Sequence, residues 1–320
     1  MYDPNFSDHH PRCAQHLDHT SKCTCERETT WDRAQRRALE ASPLEPHTPV
    51  ETPWNFVRRL VWRASTNNAK TGRIPTASVR EQDAAASCKG CRHFVRRKVG
   101  GRSCYAWRGR VLQGYRSMCA AIARRQAAAG TDDTPPAYTL DAAVAGRQWD
   151  ARYLRLTALG DCSVCSDHEL AEVRQKADAA GLDVLGYTAH WAARGRNRPA
   201  LQTLVLASTQ TDTATRRASL AGWCVAQTVS AQRFADAMDA GHITTSGGQR
   251  LKLCDHQAAV LDVQHPPTCN QCGLCTVRNM RASGYDGVAF AEHGPTTHGR
   301  PWTRLVAAAR AAVDAAGGAR

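Results

Sequence analysis

Residues 153–188 of this 320-residue chain read YLRLTALGDCSVCSDHELAEVRQKADAAGLDVLGYT, and they decide the fold class. The stretch opens with the apolar alternation of a strand. Ser166 and Glu169 then have the spacing of a helix capping box, and a helical pattern follows as far as Gly181. A second strand pattern, 182–188, follows at once. The stretch therefore predicts a β-α-β unit with two parallel strands.

The same rhythm continues through the C-terminal half. Strand patterns occur at 201–207, 222–228, 250–254 and 287–291, and helical patterns occur at 211–221 and 231–240. Such alternation predicts an α/β fold with a parallel sheet, either doubly wound or closed into a barrel, and we expect a (β/α) barrel-like core. A final helix beginning at Pro301 is expected to cover the sheet.

The chain divides into an N-terminal extension and one larger body. Residues 1–50 are polar and lack apolar periodicity, so we expect a flexible extension that contains several His and Cys residues. We expect 51–320 to form a single α/β catalytic domain. That domain contains a basic cysteine-rich segment, 88–125, and a C-terminal metal segment, 254–293.

Composition points to a protein of the cytoplasm, or of the host cytoplasm if a phage encodes the chain. The N-terminus lacks a secretory signal pattern, and no apolar run approaches the length of a membrane span, so no membrane partner is expected. In reducing surroundings, the 14 cysteines are better explained by metal ligation and burial than by disulfides.

Cys269, Cys272 and Cys275 form a Cys-x-x-Cys-x-x-Cys run, whose spacing lets three sulfurs surround one ion. The fourth ligand is expected to be Cys254 or His293, with His256 and His265 as weaker candidates. Zinc is the favoured metal. An iron-sulfur cluster is the alternative, but the ferredoxin pattern would place another cysteine where Asn279 stands. Scattered buried thiols are the simplest non-functional explanation.

The segment from Cys88 to Arg125 contains 11 Lys or Arg residues and no Asp or Glu, within a chain whose formal charge is +13. Aromatic residues such as Tyr105 and Trp107 are interleaved with the basic ones. This pattern favours a nucleic-acid partner, because arginines bind phosphate and aromatic rings stack on bases. A solvated basic face is the alternative. The expected phosphate contacts include Arg96, Arg97 and Arg108.

Cys88, Cys91 and Cys104 have the spacing of a second metal knuckle inside this basic segment, with His93 or Cys119 as a fourth ligand. Unligated thiols explain the same pattern equally well. Shortly before the segment, the turn-rich hexapeptide 67–72 contains Lys70 among small polar residues. We expect it to hold a phosphate or a base edge, or else to be a plain surface turn.

Catalytic groups of a parallel sheet gather where its strands end. Asp161 follows the first predicted strand and a glycine, so it is the first candidate for a nucleophile or general base. An Asx turn or helix cap is the structural alternative for this residue. Cys162 and Cys165 have a Cys-x-x-Cys spacing, but nothing around them resembles a redox motif.

Parallel strands, strand-end carboxylates and a cysteine triplet followed by a histidine resemble the tRNA-guanine transglycosylase superfamily. Its phage branch, the DpdA-type enzymes, exchanges guanine in DNA for 7-deazaguanine bases. The resemblance implies a (β/α) barrel, a zinc ion on Cys269, Cys272, Cys275 and His293, and double-stranded DNA and a 7-deazaguanine base as partners. The first spacer of the triplet is one residue longer than in that family, and the histidine comes sooner.

The resemblance also implies roles for individual residues. Asp161 would attack the sugar carbon, Asp255 or Glu292 would act as the second acid or base, and Gln210 or Gln227 would read the base edge. The chain is similar as well to uncharacterised cysteine-rich phage proteins that share the Asn68 to Gly72 turn. Two rival functions are a noncatalytic, zinc-stabilised nucleic-acid-binding protein and a radical enzyme with an iron-sulfur cluster.

Overall fold

A computed structural model describes 59–192 except for 67, 69, 81–82, 85–86 and 89–108, together with 198–259, 266–292 and four isolated positions beyond 300. The predicted N-terminal extension, most of the basic cysteine-rich segment and most of the predicted terminal helix lie outside the described residues. So do the following candidate site residues: Cys91, His93, Arg96, Arg97, Cys104, Arg108, His265 and His293.

The described chain alternates strands and helices. Its first half contains β1 (Leu60–Arg63), β2 (Thr76–Val79), α1 (Gly109–Ala129), a 3-10 turn (Pro136–Tyr138), α2 (Leu140–Ala145), β3 (Tyr153–Leu156), a second 3-10 turn (Cys162–Val164), α3 (Asp167–Ala179) and β4 (Asp183–Thr188). Its second half contains α4 (Pro199–Gln202), β5 (Leu206–Thr209), α5 (Asp212–Leu220), β6 (Val225–Val229), α6 (Ala231–Asp236), β7 (His242–Thr244), β8 (Arg250–Leu253), α7 (Asp255–Ala259), α8 (Cys269–Cys272), α9 (Val277–Ala282) and β9 (Gly287–Ala291).

In the described residues the strands form one nine-stranded sheet in the order β1-β2-β3-β4-β5-β6-β9-β8-β7. All neighbours are parallel except the two terminal pairs, β1 with β2 and β7 with β8. The predicted α/β class and mostly parallel sheet are therefore confirmed. The sheet is open and does not close into a barrel, because its two end strands, β1 and β7, do not pair with each other.

Most helices pack on one side of the sheet, which we call the helix face. Its core contains Leu170 and Val173 of α3, Phe234 of α6 and Leu154 of β3, all almost fully buried. The predicted cap of α3 is confirmed in part, since the Ser166 hydroxyl accepts the Glu169 backbone N–H. The Glu169 carboxylate does not complete the capping box. It accepts the backbone N–H groups of Arg59 and Leu60 instead, at 2.9 and 3.0 Å.

The opposite side, which we call the cysteine face, has a second and smaller core. It combines Leu185, Leu206 and Val288 of the strands with Met280 of α9, and it includes Cys254 and Cys275. On this face Tyr187 of β4 and Phe290 of β9 meet across the two intervening strands, with their ring centroids 5.9 Å apart.

The strand predicted at 201–207 is mostly wrong. Pro199 begins the helical turn α4, and the strand β5 starts only at Leu206. Proline suits the first turn of a helix because it lacks the N–H that a helix start leaves unpaired. The strand at 287–291 was predicted with its observed bounds, whereas the three-residue strand β7 was missed.

Candidate metal centre and strand-end patch

Four cysteines surround one small cavity on the cysteine face. Cys254 directly follows β8, Cys269 and Cys272 are the first and last residues of α8, and Cys275 follows shortly after. The space open to the centre of a water-sized sphere is about 20 Å³. A cavity of this size has room for one water molecule or one ion. Cys254, the upstream candidate for fourth ligand, is therefore brought to the triplet.

The local sequence explains the tight loop around these thiols. Thr268 and Gln271 form a reciprocal capping box that starts α8, and Gly273 ends the helix with a left-handed φ of 65°. A Cβ on Gly273 would lie 1.9 Å from the Tyr153 hydroxyl oxygen, so no side chain fits there. The Leu274 backbone N–H donates to the Cys272 sulfur. Hydrogen bonds of this kind to a ligand sulfur orient it.

Burial and neighbouring groups raise the pKa values of the thiols of Cys269, Cys272 and Cys275. Burial, together with the nearby Asp255 and Cys254, raises the pKa of Cys272 to about 12, although the Leu274 backbone N–H opposes the shift. Burial and the Cys254 thiol also raise the pKa of Cys275, while the Tyr187 hydroxyl, which donates to its sulfur, lowers it. The raised pKa values favour the protonated thiols of Cys269, Cys272 and Cys275, whereas metal ligation requires thiolates.

The turn 68–72 is not a free surface turn, because it docks against the cysteine loop. The Cys269 backbone N–H donates to the Lys70 carbonyl at 2.8 Å, and the Asn270 N–H donates to the Thr71 carbonyl at 3.2 Å. The Lys70 ammonium lies 4.8 Å from the centroid of the Phe290 ring, which lines the cavity. The predicted phosphate or base contact of Lys70 remains a prediction.

In the part of the chain that the structure describes, no group of three or more His, Cys, Asp and Glu side chains is positioned to hold a metal ion. The described cysteines form no disulfide.

His256 lines the same cavity as the four cysteines, and one of its ring nitrogens lies 2.9 Å from the Pro267 carbonyl oxygen. Cys88 of the second predicted knuckle is buried beside Ser87.

A second feature lies at the carboxyl ends of the strands. In each of β5, β6 and β9, a single residue, the penultimate one, is only half-buried. These residues are Ser208, Thr228 and Phe290, and Tyr187 is the corresponding residue of β4. We call these four residues the strand-end patch. Thr228 and Phe290 are paired in register, and Tyr187 contacts Phe290 edge to face.

Two predicted residues extend this patch. Glu292 continues β9, since its backbone N–H donates to the Val229 carbonyl at 2.7 Å. Because side chains alternate along a strand, Glu292 and Phe290 share the cysteine face. Gln210 directly follows β5 and is half-buried. The sequence placed Glu292, Gln210 and Lys70 in separate roles; the fold brings Lys70 to Phe290, and Gln210 and Glu292 directly follow strands of the same parallel sheet.

Asp161 lies elsewhere and is fully engaged. One carboxylate oxygen accepts the Ser163 N–H at 2.9 Å and the Thr188 hydroxyl at 2.8 Å, and the other accepts the Ala189 N–H at 2.7 Å. Asp161 is buried and caps the 3-10 turn Cys162–Val164. The geometry thus matches the helix cap that the sequence analysis gave as the structural alternative for Asp161. The catalytic role of Asp161 remains a prediction.

Gln227 is also engaged on the helix face. Its amide donates to Asp212 at 2.9 Å, and its carbonyl oxygen accepts the Thr215 hydroxyl at 3.0 Å. Burial alone would raise the pKa of Asp212, but hydrogen bonds from Arg233, Gln227 and the Ser246 N–H lower it to about 2. This ionised network fastens α5 to β6. Both polar ends of the Gln227 side chain already have partners inside the protein.

The remaining candidates differ in their surroundings. Asp255 accepts a hydrogen bond from Cys272 at 3.3 Å and lies 3.5 Å from the Lys252 ammonium, on the rim of the cysteine cavity. Cys162 and Cys165 are buried, and their burial raises the pKa of both thiols. High thiol pKa values leave little thiolate for redox chemistry.

No protein-family model matches the sequence, and neither a curated protein nor a solved structure is significantly similar to it. Among the helices of the described residues, none combines the length and the apolar character needed to cross a membrane. The function must therefore be argued from the site itself.

Proposed function

We propose that this chain holds one structural zinc ion with Cys254, Cys269, Cys272 and Cys275. The observation that carries the proposal is the convergence of these four thiols, which are up to 21 positions apart in sequence, on one cavity of about 20 Å³. Zinc prefers a tetrahedral set of soft ligands, and four thiolates are a common structural set. Binding would draw the four sulfurs together around the ion.

The surroundings favour a single ion over a cluster. A cavity with room for one water-sized body suits one zinc ion, whereas a four-iron cluster would require its walls to move apart. The short helix α8, the left-handed Gly273 and the N–H of Leu274 donating to sulfur form a compact loop around the thiols. A bound ion would be held by four thiolates and would crosslink β8 to this loop.

The zinc proposal is tested with cysteine variants of the untagged full-length protein. Cys275→Ser and Cys269→Ser are expected to lose bound zinc and the cobalt-thiolate absorption seen after cobalt replaces zinc. Cys224→Ser is the matched control, because Cys224 is buried on the same face but does not line the cavity. Equal metal content in Cys275→Ser and Cys224→Ser would refute the ligand set.

We propose in addition that the strand-end patch is a site of base exchange, in which guanine of DNA is replaced by a 7-deazaguanine. The supporting observation is that Tyr187, Phe290, Gln210 and Glu292 surround the carboxyl ends of neighbouring parallel strands. Ligands bind at this edge of parallel sheets. Aromatic rings would stack on a flipped base, and the Gln210 amide would pair with its edge.

The exchange needs two carboxyl groups. One would bond to the sugar carbon as its bond to guanine breaks, and the other would protonate the leaving base; the incoming base would then displace the carboxylate and return a proton. Asp255 lines the same cavity as Phe290, and Glu292 follows Phe290 at the end of β9, whereas both carboxylate oxygens of Asp161 are engaged in hydrogen bonds. We therefore assign the carboxyl roles to Asp255 and Glu292.

Exchange of labelled guanine in double-stranded DNA, with a 7-deazaguanine as the incoming base, tests this assignment. Glu292→Gln is expected to abolish exchange without loss of zinc or of stability. Asp161→Asn is expected to lose about 1–3 kcal/mol of unfolding free energy, because its amide nitrogen would face a backbone N–H, while the folded fraction still exchanges base. No exchange by the parent protein with any deazaguanine would rule out the enzyme.

The rival proposal is noncatalytic binding of nucleic acid. It is favoured by α1, which has no acidic residue among its 21 positions and exposes Arg116, Arg124 and Arg125. If phosphate contacts dominate, affinity for duplex DNA falls steeply with salt, and replacing these three arginines reduces that slope. Binding without exchange would select this rival over the enzyme.

A further inference from the structure

Two cations stand on the cysteine face next to the thiols. Lys70 belongs to the docked turn 68–72, and its ammonium lies over the ring of Phe290, which forms part of the cavity wall. Arg155 is a half-buried position of β3, whose burial alternates so that Tyr153 and Arg155 share the cysteine face. Tyr153 in turn lies against Gly273 of the cysteine loop.

A zinc ion held by four thiolates would leave an excess of negative charge at the cavity. Four thiolates and one zinc ion carry two negative charges in excess, and Asp255 adds a third. Lys252 lies 3.5 Å from the Asp255 carboxylate and offsets that one. Buried charge is costly unless it is paired, so cations next to the thiolates would stabilise them. Lys70 is joined to the cysteine loop by the hydrogen bond from the Cys269 N–H to its carbonyl, and Arg155 shares its face of β3 with Tyr153, which lies against Gly273 of that loop.

We propose that Lys70 and Arg155 balance the charge of the zinc-thiolate centre, and that Lys70 sets how tightly the ion is held. This inference rests on the zinc proposal and names the residues that regulate the affinity of that site. Lys70 is a positioning residue that acts on the thiolates through its charge. Its side chain is separable from its backbone, because the carbonyl of Lys70 makes the bond to the Cys269 N–H that holds the turn in place.

Lys70→Met tests the role of the charge while keeping the carbonyl and most of the side-chain length. Zinc affinity is measured by competition with a chromophoric chelator for the full-length protein. We expect Lys70→Met to weaken zinc binding by about 10–100-fold, as removal of partners around a metal centre typically does. Lys70→Arg is expected to restore most of the affinity, because the positive charge returns.

Lys176→Met is the matched control, because Lys176 of α3 pairs with Asp141 of α2 and Glu172 of α3, away from the cysteine face. It should bind zinc as the parent does. If the parent binds zinc and Lys70→Met binds it equally tightly, the charge-balancing role is wrong while the zinc centre stands. If Lys70→Arg is as weak as Lys70→Met, shape rather than charge matters and the inference fails. A parent protein without zinc would overturn both proposals.

Discussion

The two faces of the sheet are stabilised by different means. The helix face is closed by large aliphatic and aromatic side chains from most of the helices, such as Leu170 and Phe234. The cysteine face is closed by one short helix, α9, and by the loop that carries Cys269, Cys272 and Cys275. The first face is stabilised by burial of apolar area, and we propose that a zinc crosslink adds to the smaller apolar core of the second.

The largest expected effect comes from a substitution in the core of the helix face. Phe234 is fully buried, and Phe234→Ala should lower the free energy of unfolding by about 3–5 kcal/mol through the lost contacts and the cavity left behind. Because Phe234 packs away from the cysteine loop, the loss measured in urea should be the same before and after treatment with a chelator. A loss that vanishes after chelation would mean that the two faces are not independent.

A smaller effect is expected on the cysteine face from Gly273→Ala. The substitution combines a left-handed φ with a clash against Tyr153, and we expect a loss of roughly 2–4 kcal/mol together with weaker zinc binding. Gly181→Ala is the control, since Gly181 has a φ of 68° but an open surrounding, and it should lose only about 1 kcal/mol. Equal losses from the two variants would show that the tight loop around the cysteines is unimportant.

The smallest effect concerns pH and the helix face. Burial raises the pKa of Glu169 to about 6, although backbone N–H groups of Leu60 and Arg59 oppose the shift. Between pH 4.5 and 6 the folded protein thus binds more protons at this group than the unfolded chain, so stability falls as pH rises through that window. Glu169→Gln should remove about 1–2 kcal/mol of this fall, as measured by urea unfolding at several pH values. A pH profile parallel to that of the parent would contradict the assignment.

The helix face was largely predictable because its elements repeat a simple pattern. The alternation of 153–188 predicted β3, α3 and β4 within a few residues, and Ser166 is the observed cap. Open versus closed topology was not predictable, because it depends on edge pairings of the short strands β1 and β7. Those strands have too few residues for a periodic signal.

The site was predictable only in part. The cysteine spacing indicated Cys269, Cys272 and Cys275 and offered Cys254 as one candidate for the fourth ligand, and the fold brings Cys254 to the same cavity. Of the strand-end patch, the aromatic residues Tyr187 and Phe290 were not predicted, whereas Gln210 and Glu292, which flank it, were. Its signal was present in principle, as the penultimate residue of each strand, but strand ends are the least certain part of a sequence-based prediction. The contact between Lys70 and the cysteine loop joins residues about 200 positions apart, and no local pattern encodes it.

The most direct test of the account is zinc K-edge X-ray absorption on the untagged full-length protein. We predict about one zinc ion per chain, with a shell of four sulfur atoms at about 2.3 Å, and the loss of that shell in Cys275→Ser. Absence of zinc, iron in its place, or a shell of nitrogen and oxygen ligands would contradict the claim that Cys254, Cys269, Cys272 and Cys275 close the cysteine face around a metal ion.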